Sequence, residues 1–331
     1  MKTFAHDSGG AWVSSAPDLL RSRDDRLLGG LVFAVASAVS FGMSGALARG
    51  LLDTGWSAGA AVLARLGLAA LVVAPFGAMS LRGQWGLLRR NAGLIVGYGI
   101  SAVAGAQFCY FSAVAYMQVG PALLIEYTAP AAVVVWLWLR HGQRPGALTL
   151  VGAALAAVGR VLVLDLLSGT QLSIVGVLWA LGAMVGAASY FLISADHDNG
   201  LPPLALAAGG LLVGAVVMGL LGLVGLLPMQ ATSAATTYAG RSVPWWLPVL
   251  ALGLVTAALS YTTGIAAGRR LGSRLASFVA LLEVVAGVGF AWLLLGELPR
   301  LVQLVGGVLI LAGVVAVKLG ERQLTREPAA G

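Results

Sequence analysis

Three stretches of this chain, residues 27–48, 202–227 and 275–296, each carry at most one charged side chain. Each exceeds the roughly 20 residues that a helix needs to cross about 30 Å of hydrocarbon. A helix that is apolar all round has no face to offer water, so it must be buried in protein or in lipid. Composition decides for lipid. Hydrophobic residues make up 59% of the sequence and charged ones only 10%, where soluble domains have about 25% charged. The chain reads as an all-α integral membrane protein. Its 46 glycines suit helices that pack by close backbone approach, which in lipid replaces hydrophobic attraction.

Reading apolar runs between charge, Pro and Gly punctuation places ten transmembrane helices near 27–48, 57–80, 92–114, 119–139, 146–166, 173–194, 202–227, 244–267, 274–296 and 301–319. With the N-terminus inside, the outer loops hold Arg49, Arg241 and Arg300. Arg65 and Arg160 lie within spans, and every other Lys and Arg falls on the inner side. That asymmetry predicts both termini in the cytoplasm. It also accounts for the formal net charge of +7, with arginines facing an anionic inner leaflet, so no nucleic-acid partner is expected.

The sequence also repeats itself. "LVGAALAAVGRVLV" (150–163) aligns without a gap with "LVGGVLILAGVVAV" (304–317), and "HGQRP" (141–145) meets "LGELP" (295–299) in the same register. Spans 1–5 therefore match spans 6–10, and because five is odd the second copy enters the membrane from the opposite side. This predicts a polar cytosolic tail over 1–26, a first five-helix repeat over 27–167, a second over 168–320 and a C-terminal tail over 321–331. Inverted repeats of this kind recur in secondary transporters, with the site near the midplane where the halves meet.

The motifs "PALLIEYTAPAAVVVWLWL" in span 4, "ASFVALLEVVAGVGFAWLLLGELP" in span 9, "LARLGLAAL" in span 2 and "LVGGVLILAGV" in span 10 resemble the EamA family of the drug/metabolite transporter (DMT) superfamily. The resemblance covers about residues 27–319. It implies two inverted five-helix halves, alternating access and export of small metabolites across a bacterial plasma membrane. The "LLIEYTAP" form of span 4 is most similar to the threonine/homoserine exporter branch. The chain departs from the family at Glu283-Val284, where Glu-Pro is usual.

The candidate substrate or coupling residues are the polar groups placed inside spans. Glu126 lies about a third of the way into span 4, where a carboxylate costs roughly 2.5–3.5 kcal/mol on insertion scales. Pro130, four residues on, frees the Glu126 carbonyl and is expected to kink the helix. Glu283 is expected near the middle of span 9, roughly 15 Å from either end. Arg65, nine residues into span 2, is read as a partner for Glu126 or for a substrate carboxylate. Gln107 and Tyr110 share a face of span 3, and Tyr190 and Tyr261 add hydroxyls from spans 6 and 8. Tyr127, about 100° around the helix from Glu126, need not share its site.

These groups suit a proton-coupled or facilitative exporter of amino acids, with drugs or amphipathic cations as the alternative cargo. A membrane-embedded lipid enzyme is the reading from another class, but the histidines, His6, His141 and His197, lie in a tail and loops. No metal, cofactor or catalytic residue is expected. The expected partners are a small-molecule substrate and the bilayer, with protons and a second copy of the chain as further candidates.

Overall fold

The computed structural model describes residues 16–129, 146–163, 173–194, 199–280 and 282–324. Pro130, Trp136, Trp138, Asp165, the three histidines and the side chain of Arg160 lie outside the described residues. The chain is mostly helical: α1 (Ala16–Leu52), α2 (Ala58–Ser80), α3 (Ala92–Tyr116), α4 (Val119–Glu126), α5 (Ala147–Val163), α6 (Ile174–Ser194), α7 (Pro203–Leu223), α8 (246–279), α9 (Leu282–Leu295) and α10 (Leu301–Leu324). Among the described residues, six helices are long and apolar enough to cross a membrane, in α1, α2, α3, α6, α7 and α8.

Local chemistry fixes several ends. Ser57 caps α2, its hydroxyl accepting from the Ala60 amide at 3.2 Å, which satisfies an otherwise orphaned first-turn donor. Pro203 opens α7, where a missing N–H costs nothing. Two helices contain stretches of wide, π-type turns, Gly99–Gly105 in α3 and Ala251–Leu259 in α8.

The most extensive pairings join α5 to α10, α2 to α7, α1 to α8 and α9, and α3 to α6. Lesser ones join α3 to α7, α2 to α8, α4 to α6 and α4 to α9. Exchanging each label with the one five places away maps this set onto itself. Small residues permit the approach. A Cβ on Gly159 of α5 would sit 2.6 Å from the Gly306 carbonyl of α10, and one on Gly42 of α1 would sit 2.7 Å from Ala286 of α9.

Between α7 and α8 the chain forms a two-stranded antiparallel hairpin, β1 (Thr236–Tyr238) and β2 (Arg241–Val243), which the sequence reading did not anticipate. Its two-residue turn, Ala239-Gly240, has both φ angles positive (49° and 73°), the turn geometry that matches strand twist. The hairpin covers one end of the bundle. Tyr238 donates to the Leu47 carbonyl at 2.7 Å, and the Ala239 amide donates to the Leu294 carbonyl at 2.7 Å. Just before it, Trp56 Nε1 donates to the Thr232 carbonyl and the Ser57 amide to the Gln230 carbonyl. Nearby, Arg49 Nη1 donates to the Val114 carbonyl and the Val119 amide donates to Glu297. α1 arrives at this hairpin end, whereas α6 sets out from it, since Gly176 lies against Tyr116 and Met117 at the end of α3.

α1 begins at Ala16, so the helix of the first span starts inside the polar tail. Two expectations need correction. The loop expected between spans 8 and 9 is helical, with a turn at Ala280 before α9 begins at Leu282. Arginine and leucine are good helix formers, so the charges at 269–274 mark position relative to lipid rather than the end of a helix. As a result Glu283 stands in the first turn of α9, not mid-helix, where a negative charge meets the favourable end of the helix dipole.

Candidate functional site

α4 ends at Glu126, Tyr127 and Thr128 form a turn, and Ala129 is helical again. α9 starts afresh at Leu282. The two interruptions face one cavity of about 90 Å³, with room for several waters or a compact organic molecule. α1 contributes Ala34, Ser37, Ala38 and Phe41, spaced as one helical stripe. Gln107 comes from α3, Tyr190 and Ser194 from α6, Tyr261 and Gly268 from α8. Glu126 ends α4, Tyr127 lies in the turn after it, and Glu283 stands in the first turn of α9. The cavity runs from mid-bundle toward Ser194 and Gly268, away from the hairpin.

Its walls are aromatic and acidic. Phe41 meets Tyr261 edge-on with centroids 5.1 Å apart, and Tyr190 lies 5.8 Å from Tyr261. The Tyr127 hydroxyl donates to Glu283 Oε2. Gln107 Nε2 donates to the Tyr261 hydroxyl at 3.3 Å, and that hydroxyl donates to the Ala102 carbonyl at 3.4 Å. Ala102 lies in the wide-turned stretch of α3, where widened turns leave carbonyls without a helical partner.

Arg65 is fully buried and does not line the cavity. Its Nη1 donates to Ser44 Oγ at 2.7 Å and to Gln107 Oε1, and its Nη2 donates to the Thr256 carbonyl in the wide-turned stretch of α8. Its plane lies near the rings of Phe111 (5.4 Å) and Phe41 (5.9 Å). One guanidinium thus ties α1, α2, α3 and α8 together, and five fixed donors make arginine able to do so. Among the described residues neither Glu126 nor Glu283 bonds to Arg65, whose partners are neutral acceptors.

Of the residues singled out from sequence, Glu126, Glu283, Gln107, Tyr190 and Tyr261 come together at the cavity. Tyr110 does not. Three residues along a helix is 300° of rotation, a 60° offset, which turns Tyr110 toward Gly45 of α1, with its hydroxyl unpartnered among the described residues. Thr262, Thr263 and Ser189 donate to carbonyls of their own helices. Tyr127 was read as not needing to share the Glu126 site, yet both side chains line the cavity. Ser37 and Phe41 were missed, although the i, i+3, i+4, i+7 stripe of span 1 carried the signal. No group of three His, Cys, Asp or Glu that could hold a metal forms among the described residues.

The model of the EamA-like transporter family matches residues 28–165 and again 174–319. The chain belongs to that family. This EamA-like chain is therefore a multi-pass membrane protein of a transporter family, in two copies of one unit. A solved crystal structure of a protein, one of 21 solved chains that match, superposes with a TM-score of 0.58 at 20% identity, over 92% of this chain and 99% of that one. At that identity the likeness speaks for the fold. No curated protein matches the sequence.

Proposed function

We propose that the chain is a secondary transporter that exports a small ammonium-bearing molecule by alternating access across a bacterial plasma membrane, both termini in the cytoplasm. The observation that carries the substrate class is the cavity wall. Glu126 and Glu283 supply carboxyls, and Phe41, Tyr127, Tyr190 and Tyr261 supply rings. No Lys, Arg or His is among the residues described as lining it. Acids with aromatic faces attract an organic cation. The guanidinium that would have welcomed a substrate carboxylate is committed to Ser44, Gln107 and Thr256, which favours an amphipathic amine over a zwitterion. Amino acids are the second reading, favoured by the likeness of "LLIEYTAP" to the threonine/homoserine branch.

The architecture that this function needs is ten spans in two inverted five-helix repeats, 27–167 and 168–320. Two observations support it: the packing set that maps onto itself under a shift of five, and the opposite directions of α1 and α6 at the hairpin end. Proton exchange would use Glu126, whose carboxyl can release a proton when a cation arrives.

Proteoliposomes loaded with 2-phenylethylamine, phenylalanine or 2-phenylethanol test the reading. The three share a ring and differ in charge. Counterflow of the amine should exceed that of the other two, with a pH dye reporting proton movement. Glu126→Gln and Glu283→Gln should each fold and lose it. Faster phenylalanine would move the assignment to the zwitterion, and no protein-dependent flux of any of the three would overturn it.

A further inference from the structure

Tyr127 occupies an unusual place. It sits in the turn that follows α4, and its hydroxyl donates across the cavity to Glu283, which stands in the first turn of α9. The bond therefore joins the end of α4 in one half to the start of α9 in the other. Tyr127 is 7% exposed, and both side chains line the cavity, so anything binding Glu283 meets the phenol first. A phenol O–H and an ammonium N–H are alternative donors to one carboxylate oxygen, and the charged donor makes roughly twice as strong a bond.

We infer that the Tyr127 hydroxyl is a placeholder for the substrate's ammonium group, satisfying the Glu283 carboxylate until the ammonium displaces it and frees α4 from α9. This rests on the ammonium reading above and adds how binding is turned into movement. The placeholder lowers affinity, because substrate must first break an existing bond. It also gives a ligand different contacts in the joined and the parted arrangements, and without such a difference no ligand shifts a conformational equilibrium. Tyr127 is thus a positioning residue that acts through Glu283.

The test is calorimetric titration of the detergent-purified full chain with 2-phenylethylamine, paired with counterflow of the same probe. Tyr127→Phe keeps the ring and removes the competitor, so affinity should rise about tenfold, the scale of one hydrogen bond to a charged group. Counterflow should fall at least threefold, since binding no longer parts α4 from α9. Tyr127→Leu, checked like the first for monodispersity, must shift affinity in the same direction. Unchanged affinity in both variants, with wild type binding, would overturn the placeholder and leave the ammonium reading standing. A tenfold loss would also overturn it, making the hydroxyl a direct substrate ligand. If wild type itself binds no 2-phenylethylamine, the ammonium reading falls and takes this inference with it.

Discussion

At the hairpin end the chain closes over itself largely through main-chain groups, with the carbonyls of Leu47, Leu294, Thr232 and Gln230 all accepting from groups around it. In the cavity side chains of different helices bond one another, Gln107 to Tyr261 and Tyr127 to Glu283, beside the bonds from Tyr261 and Ser37 to the Ala102 and Ser260 carbonyls. Main-chain carbonyls are fixed by their own helices, so bonds to them hold one geometry. Side-chain pairs can exchange partners with little change of backbone. The contrast assigns sealing to one end and exchange to the middle. The seal is also one-sided: residues 224–245 carry a hairpin, while the link at the corresponding place in the first half, residues 81–91, carries only a single helical turn, Gly86–Arg90.

The comparison breaks hardest at Arg65. Arg65→Leu strands Ser44, Gln107 and the Thr256 carbonyl together and should cost about 3 kcal/mol or more in thermal unfolding in detergent. Arg65→Lys should restore only part, because one ammonium cannot reproduce the planar fork. A fully stable Arg65→Leu that had lost transport would instead make Arg65 a substrate residue and dissolve the distinction between scaffold and cavity. A smaller effect is expected at the seal. Tyr238 is 6% exposed, so Tyr238→Ala should cost about 3 kcal/mol locally and Tyr238→Phe about 1 kcal/mol. Both are read by faster trypsin cleavage after Arg241, with the cavity's affinity for 2-phenylethylamine unchanged; a change in that affinity would join the two regions again.

The smallest effect sharpens the seal by pH. Burial raises the Glu297 carboxyl above the usual glutamate range, partly offset by the Val119 amide and by Arg49. The folded chain then holds that proton more tightly than the unfolded one, so stability is lost as pH rises from the ordinary glutamate value, about 4.3, through the raised one. Glu297→Gln should flatten that part of the Tm profile. An unaltered slope would remove Glu297 from the seal's pH response.

Much of the frame was legible because hydrophobic length is a local property. α2, α3, α6 and α7 begin and end within a few residues of their expected limits. What failed was whatever depends on facing or on breaks. Glu283 was placed by counting along a helix assumed continuous, and the turn at Ala280 moved it to a helix start. Tyr127 was left open by a rotation of about 100°, which alone does not say how wide a cavity is. Arg65 was found as a buried charge, but sequence does not tell a guanidinium turned toward Ser44 and Gln107 from one turned into the cavity. The hairpin was hidden because "TTYAGRSV" is too short to announce strands, although Ala-Gly between alternating residues was a faint sign of the turn.

The wide-turned stretches of α3 and α8 amount to slack wound into a helix. A turn that holds an extra residue puts everything beyond it about 100° out of phase with a regular helix. Gln107 and Tyr261 both lie just past such a stretch. Were either bulge to slide past them, the ring or the amide would swing out of the cavity as a key turns in a lock, with neither helix having to leave its place in the bundle.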